Sequence, residues 1–383
     1  MHRPIPLASR PFSALQHPRE VIRQFTPNWF AVVMGTGVLA LALAQLPASW
    51  QWLQAAAHGL WALAVLLFAL FTLLYGARWV LFFHEARRIF GHSTVSMFIG
   101  TIPMALATLI NGFILFALAQ VGDVALPWLQ ALWWLDVGLA LACGVGIPFL
   151  MFTRQQHSID QMTAVWLLPV VAAEVAAASG GLLAPHLPDP AAQFGMLVTS
   201  YVLWAFSVPV AFAILTILML RMALHKLPHE NMAASSWLAL GPIGTGALGM
   251  LLLGGDAPGI FAAAGVLPGV GDMLDGLGVI SAVILWGMGL WWMLLAVLIT
   301  LRYLRAGMPF NLGWWAFIFP LGVYTLATLR LGHVLHLAFF SLCGQGLVVC
   351  LGMLWAVVMI RTVRGAWRGE LFVSPCIAAA RGQ

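Results

Sequence analysis

Apolar residues in this chain come in long unbroken runs, and the polar residues collect in the gaps between them. Ten runs stand out, at about 28–46, 56–82, 95–121, 126–152, 163–184, 195–220, 236–254, 277–300, 311–331 and 337–360. Each is close to or beyond the roughly 20 residues that a helix needs to cross a 30 Å hydrocarbon layer. The pattern predicts an all-α integral membrane protein of ten transmembrane helices.

The gaps between runs alternate in kind. Those near 47–55, 122–125, 185–194, 255–276 and 332–336 hold no Lys or Arg, and instead contain Asp123, Asp189, Asp256, Asp272 and Asp275. The other gaps and the two termini hold the positive charge. Arg3, Arg10, Arg19 and Arg23 precede span one, and Arg78, Arg87 and Arg88 close span two. Arg154, Arg221, Lys226, Arg302 and Arg305 follow spans four, six and eight, and Arg361, Arg364, Arg368 and Arg381 follow span ten. All 17 basic residues except Arg330 fall on one side, which the positive-inside rule makes the cytoplasm. An error of one span anywhere would destroy this alternation. It predicts five helical hairpins with both termini cytoplasmic, in a multi-pass protein of the cell inner membrane. The expected division is a cytoplasmic tail over 1–25, a membrane domain over 26–362 and a second cytoplasmic tail over 363–383.

Composition excludes other classes. Hydrophobic residues make up 62% of the 383 and charged residues 8%, against roughly a quarter charged in soluble domains. A mean hydropathy of +0.97 leaves too much apolar surface for any soluble core. The net charge of +5 does not imply nucleic acid, because its position follows the membrane. The basic N-terminal stretch lacks the apolar run of a signal peptide, which points to a retained tail. Cys143, Cys343, Cys350 and Cys376 show no paired spacing and read as packing residues.

Spans three, five, seven and nine each carry an internal proline, at Pro103, Pro169, Pro242 and Pro320. Span one has Gly35 and Gly37 instead. A proline removes one backbone hydrogen bond and bends the helix, and in lipid the freed carbonyl must face protein or a water-lined cavity. The odd spans are therefore expected to kink around a central pathway. Gly244, Gly246 and Gly249 spell GxGxxG, but inside an apolar helix the spacing serves close helix approach rather than a dinucleotide. His333 and His336 lack a third ligand nearby in sequence. No HExxH, paired histidine ligands or nucleophile elbow lies in the spans, so no enzyme, metal or cofactor is expected.

The string FTPNWFAVVMGTG (25–37) resembles the opening of the tellurite-resistance/dicarboxylate transporter family. That family takes in the bacterial tellurite-resistance anion channel, the plant slow anion channels, the fungal malate permease and the fungal sulfite pumps. SMFIGTIPMALATLING (96–112), WLLPVVAAEVAAASGG (166–181), GPIGTGALG (241–249) and WWAFIFPLGVYTLATLR (314–330) resemble it in the same order. The span-three and span-five strings are most similar to the sulfite pumps and related bacterial transporters. One departure is Ser93, where the family pattern has proline after the histidine matching His92. The resemblance implies five hairpins around a central pore, a homotrimer, and a small-anion substrate: a C4-dicarboxylate such as malate or succinate, or sulfite. A broadly selective chloride or nitrate channel and a tellurite-resistance protein are the other functions it offers.

Within that frame a few residues become candidates. Phe319 occupies the place of the phenylalanine that plugs the pore in channel members, just before Pro320. At 1.5 Å per residue it lies roughly 12 Å into its span, where an apolar ring blocks ions sterically and by expelling water. Glu174 lies about 16 Å into span five. An acid at that depth marks a pathway or proton relay or makes structural hydrogen bonds, and burial favours its neutral form. Asp136, on an even span, reads more readily as outer-layer structure. Arg330 sits near the outer end of span nine, either attracting anions at a vestibule or snorkelling to the outer headgroups. Thr36, Thr101, Thr108, Ser179, Thr245 and Thr325 are the hydroxyls available on odd spans. With no ring of Lys or Arg, selectivity would rest on the weak positive field of the backbone.

Overall fold

The computed structural model describes residues 11–267 and 269–377; Arg3, Arg10 and Arg381 lie outside them. Among the described residues, ten helices are long and apolar enough to cross a membrane: α1 (Pro27–Ala44), α2 (Gln51–Leu81), α3 (Val95–Phe116), α4 (Asp123–Thr153), α5 (Ala164–His186), α6 (Pro190–His225), α7 (Glu230–Ala264), α8 (Val270–Ala306), α9 (Leu312–Leu335) and α10 (Ala338–Arg368). Among the described residues there is no strand. The hydropathy pattern located every span, because backbone in lipid must satisfy its own hydrogen bonds and a continuous helix does so.

The helices form two layers. The odd ones make a closed ring, in which α1 packs on α3, α3 on α5, α5 on α7, α7 on α9 and α9 back on α1. Each even helix lies outside the ring against two consecutive odd helices. Between 61% and 94% of the central residues of the odd helices are buried, against 11% to 33% for the even ones. Lipid therefore meets mainly α2, α4, α6, α8 and α10, whose outward faces carry large apolar side chains such as Leu66, Leu73, Ile284, Leu298 and Leu342.

Every ring helix begins as a 3-10 helix and then becomes α. The 3-10 stretches are Pro27–Trp29, Val95–Gly100, Ala164–Leu167, Glu230–Ala239 and Leu312–Phe317. The α segments start at Phe30, Thr101, Leu168, Leu240 and Ile318. Pro103, Pro169, Pro242 and Pro320 are the second or third residue of their α segments. The carbonyls they cannot pair with, four residues back, belong to the 3-10 stretches. The prolines therefore mark a change of helix type near the helix start rather than a mid-helix kink. Proline within α4 and α6, at Pro148 and Pro209, leaves those helices continuous.

Gly35 and Gly37 do not break span one. The change of helix type there falls at Phe30, and α-helix runs through both glycines to Ala44. Their role is close approach. A Cβ at Gly35 would come 2.6 Å from the Trp315 ring of α9, and one at Gly37 would overlap the Thr108 side chain of α3. Gly244 of the GxGxxG string is similar, since its Cβ would stand 2.7 Å from the backbone nitrogen of Tyr324.

A second correction concerns the acidic gap at 255–276. Helix α7 continues to Ala264 and α8 begins at Val270, so Asp256, Asp272 and Asp275 are helical. The connection is short because the two helices touch backbone to backbone. A Cβ at Gly254 would meet the Leu274 carbonyl oxygen at 2.7 Å, and one at Gly271 would meet the Pro258 Cα at 2.7 Å.

Candidate anion pathway

The 3-10 stretches of the ring enclose a cavity of about 410 Å³. All five ring helices line it and no even helix does. The deepest residue on each is Met34, Met104, Val171, Gly241 or Pro320, each within about a turn of the point where the α segment starts. The cavity thus fills the 3-10 layer and stops at the edge of the α layer. Phe319 lies at that inner end and is 6% exposed. Because 3-10 helix rises about 2 Å per residue, Phe319 lies roughly 15 Å beyond Asn311, deeper than an α-helical count gives.

Among the described residues, the lining contains no Asp, Glu, Lys or Arg. What faces the cavity is the N-terminal end of each ring helix. Each such end carries a partial positive charge from its aligned peptide dipoles, even where side chains cap first-turn N–H groups, as at Val165, Asn231 and Gly313, and five converge with no carboxylate among the described lining residues. The polar side chains on the lining are Thr26, Asn28, His92, Thr94, Thr101, Asn231, Ser235 and Asn311. Several are held in place by local hydrogen bonds. The Thr26 hydroxyl donates to Asn28 Oδ1, the Thr101 hydroxyl lies 2.8 and 2.7 Å from the carbonyl oxygens of Pro27 and Phe98 and donates to one of them, and Asn311 donates to the Asn231 carbonyl at 3.0 Å. The arrangement is a neutral, hydroxyl- and amide-bearing vestibule with positive backbone potential and an apolar floor.

The C-terminal segment completes the rim. After α10, Gly369 turns the chain at φ 83°, and the next residues alternate. Phe372, Ser374 and Cys376 are buried, while Val373 and Pro375 are exposed and line the cavity. Phe372 stacks on Trp29 at 5.0 Å between centroids, and the Ser374 N–H donates to Gln24 Oε1 at 2.8 Å. Arg78 fixes this corner. It is 1% exposed, donating to the Phe25 carbonyl and, at 3.1 Å, to Ser374 Oγ. From sequence it counted only as an interfacial charge closing span two.

A family model described as a voltage-dependent anion channel, SLAC1, matches residues 24–363, the whole ring and its outer layer. The chain belongs to the SLAC1 family. It is similar to a sulfite efflux pump of Arthroderma benhamiae, 37% identical over 352 residues that cover 92% of this chain and 93% of the pump. An uncharacterized transporter of Methanocaldococcus jannaschii is 30% identical over 355 residues, covering 92% of this chain and 96% of that one. The malic acid transport protein of Schizosaccharomyces pombe is 25% identical over 359 residues, covering 90% and 78%. The resemblance read from the five motif strings is thus a family membership, and the chain is a multi-pass membrane protein of an anion-transport family.

In this SLAC1-family chain the other candidate residues lie away from the cavity. Glu174 is fully buried, and its Oε2 is 3.2 Å from Ser207 Oγ on the outer-layer helix α6. Ser207 Oγ is also 2.9 Å from the Val170 carbonyl oxygen. One hydroxyl hydrogen cannot serve both acceptors, so the geometry suits a neutral Glu174 donating to Ser207 while Ser207 donates to Val170. Asp136 also lies between layers, fully buried on α4, its two carboxyl oxygens without hydrogen-bond partners. Arg330 lies near the C-terminal end of α9, on the far side of Phe319 from the cavity, within electrostatic reach of Asp256. Its Nε is buried without a partner. Of the six hydroxyls named from sequence on the odd spans, Thr101 alone reaches the cavity. Thr36, Thr108, Ser179 and Thr325 donate to the carbonyl four residues back.

Sequence reasoning missed His92, Asn28 and Asn231 as lining residues. His92 had been noted only for the Ser93 that follows it. The available signal was position, since each stands in or beside the first turn of a ring helix.

Proposed function

We propose that this protein moves small anions across the cell inner membrane through the ring of odd helices, with Phe319 as the gate and Pro320 setting its position. The observation that carries the reading is the cavity itself. Five helix N-termini surround it, no charged side chain among the described residues lines it, and an aromatic ring stands at its inner end. Partial positive charge without a fixed cation attracts an anion and does not trap it, which a conducting or transporting site requires. Sulfite moving outward is the leading substrate, because the relatives at 37% identity are named sulfite efflux pumps. C4-dicarboxylates such as malate or succinate come next, after the malic acid transport protein. A cavity of about 410 Å³ accommodates either. A broadly selective chloride or nitrate channel, or a tellurite-resistance protein, has the same lining requirements and is the alternative.

In this reading the five consecutive helix pairs are hairpins, the positively charged ends and both termini face the cytoplasm, and the cavity is the cytoplasmic vestibule. Arg330 then stands on the outer side, where a cation raises the local anion concentration. Glu174 acts as a hydrogen-bonding residue between layers rather than a proton relay, because it reaches α6 and not the cavity. The assembly is a homotrimer, its subunits meeting through outer-layer helices. Purified protein in liposomes, assayed for flux of sulfite, malate, succinate, chloride and nitrate, tests the whole. Flux of at least one anion is expected, and none for any of the five would remove the transport reading.

A further inference from the structure

We infer that His92 is a proton-responsive anion-binding group at the cavity entrance, donating from Nε2 to a small oxyanion and, once protonated, giving the lining its one full positive charge. The inference rests on the anion-pathway reading and names a regulation of that same site.

The geometry fixes the imidazole's chemistry. Nδ1 accepts from the backbone N–H groups of Thr94 and Val95, at 3.2 and 3.3 Å. A nitrogen that accepts carries no proton, so in the neutral ring the proton sits on Nε2. Nε2 has no hydrogen-bond partner among the described residues, and the ring belongs to the cavity lining. Asn28 and Asn231 also face the same space. The Asn28 Oδ1 is already engaged by Thr26, which leaves its NH₂ group as a second donor. A neutral imidazole N–H and a primary amide suit an oxyanion, whose oxygens accept from both.

Among the described residues His92 is the only ionisable side chain on the lining. Burial holds its pKa below the ordinary histidine value, offset in part by a backbone hydrogen bond. Arg87 and Arg88 stand on the 3-10 turn that ends just before it, and Arg154 ends α4. His157, on the adjoining smaller cavity, pairs through its Nε2 with Gln155 Oε1 at 3.0 Å. An empty cavity therefore holds His92 neutral near pH 7. The imidazolium carries its second proton on Nδ1, which must give up the Thr94 and Val95 N–H bonds; a fall in pH and an anion bound at Nε2 both favour that exchange, and by linkage each promotes the other. Anion entry should strengthen as the pH on the His92 side falls through its pKa.

The test uses nitrate, whose charge stays constant over the range, in proteoliposomes of wild type and His92→Asn. Asparagine keeps an oxygen to accept from Thr94 and Val95 and an NH₂ to donate, but cannot become cationic. As pH on the His92 side falls from about 7.5 to about 4.5, through a midpoint below the ordinary histidine value, wild-type flux should rise roughly tenfold, the low end of focusing by a charged cleft. Whatever its flux at the higher pH, the variant should stay flat as the pH falls. A variant that keeps the rise overturns the inference while leaving the pathway reading intact. Independently, nitrate should raise the titration midpoint of the His92 imidazole by NMR in the intact detergent-solubilised protein, with the signal assigned by its loss in His92→Asn or His92→Gln. A midpoint indifferent to nitrate overturns the inference even where flux is present. A midpoint that moves in a protein passing no anion upholds the site and removes the pathway.

Discussion

Replacing Phe319 by alanine is the sharpest perturbation of the proposed gate, and its size follows from where the ring sits. The side chain is 6% exposed at the inner end of a cavity that otherwise stops at Met34, Met104, Val171, Gly241 and Pro320. To open, the ring must swing out of its packed position and face water in the vestibule. Full exposure of a buried phenylalanine costs about 1.5–3 kcal/mol. At about 1.4 kcal/mol per tenfold, the closed rotamer outweighs the open one by roughly ten- to a hundredfold. Alanine removes that barrier without adding polarity, and neither neighbouring glycine fills the gap. Gly322 is turned against Val38 of α1, and Gly313 lies nearer the cavity mouth. Chloride or nitrate flux from liposomes, normalised to folded protein, should rise by about one to two orders of magnitude, with Phe319→Leu intermediate. The competing account is core packing, for which Phe→Ala costs about 3–5 kcal/mol of stability. A large fall in melting temperature with flux per folded molecule unchanged would refute the gate.

Three further outcomes are expected. Glu174→Gln should retain both flux and its pH dependence, because the amide NH₂ still donates to Ser207; loss of pH dependence would restore Glu174 as a proton relay. Arg330→Ala should lower flux a few-fold at about 0.01 M salt and not at about 0.15 M, as the Debye length shrinks from roughly 30 to 8 Å; a salt-independent effect would mean that Arg330 serves packing instead. In a cysteine-free background, an external thiol reagent should label cysteines placed at Asp189 and Val266, both exposed, and miss one at Lys226. The reverse labelling would invert the proposed orientation.

What the sequence displayed and what it hid divide along a physical line. Hydropathy recorded the ten spans because the bilayer acts on each helix separately. The two layers were half visible. Buried α5 is rich in Ala, while exposed α2, α8 and α10 are lined with Leu, Val and Trp. Glycine misled where its meaning depends on a neighbour. The stretch 255–276 read as a gap because its apolar run breaks off, yet Gly254, Gly271 and Gly278 let α8 lie backbone to backbone on α7, so helix continues through most of it. Gly35 and Gly37 resembled a hinge and serve close approach instead. The direction of Glu174 was illegible because one residue of helix turns a side chain by 100°, and no single span states its phase relative to the ring. Proline announced that a hydrogen bond is missing without saying what replaces it. The answer, a 3-10 stretch before every α segment, arises only when five backbones converge. That convergence makes the vestibule. It places five helix N-termini around one space and lets an imidazole, unremarkable between Gly91 and Ser93, become the only ionisable side chain on the described lining.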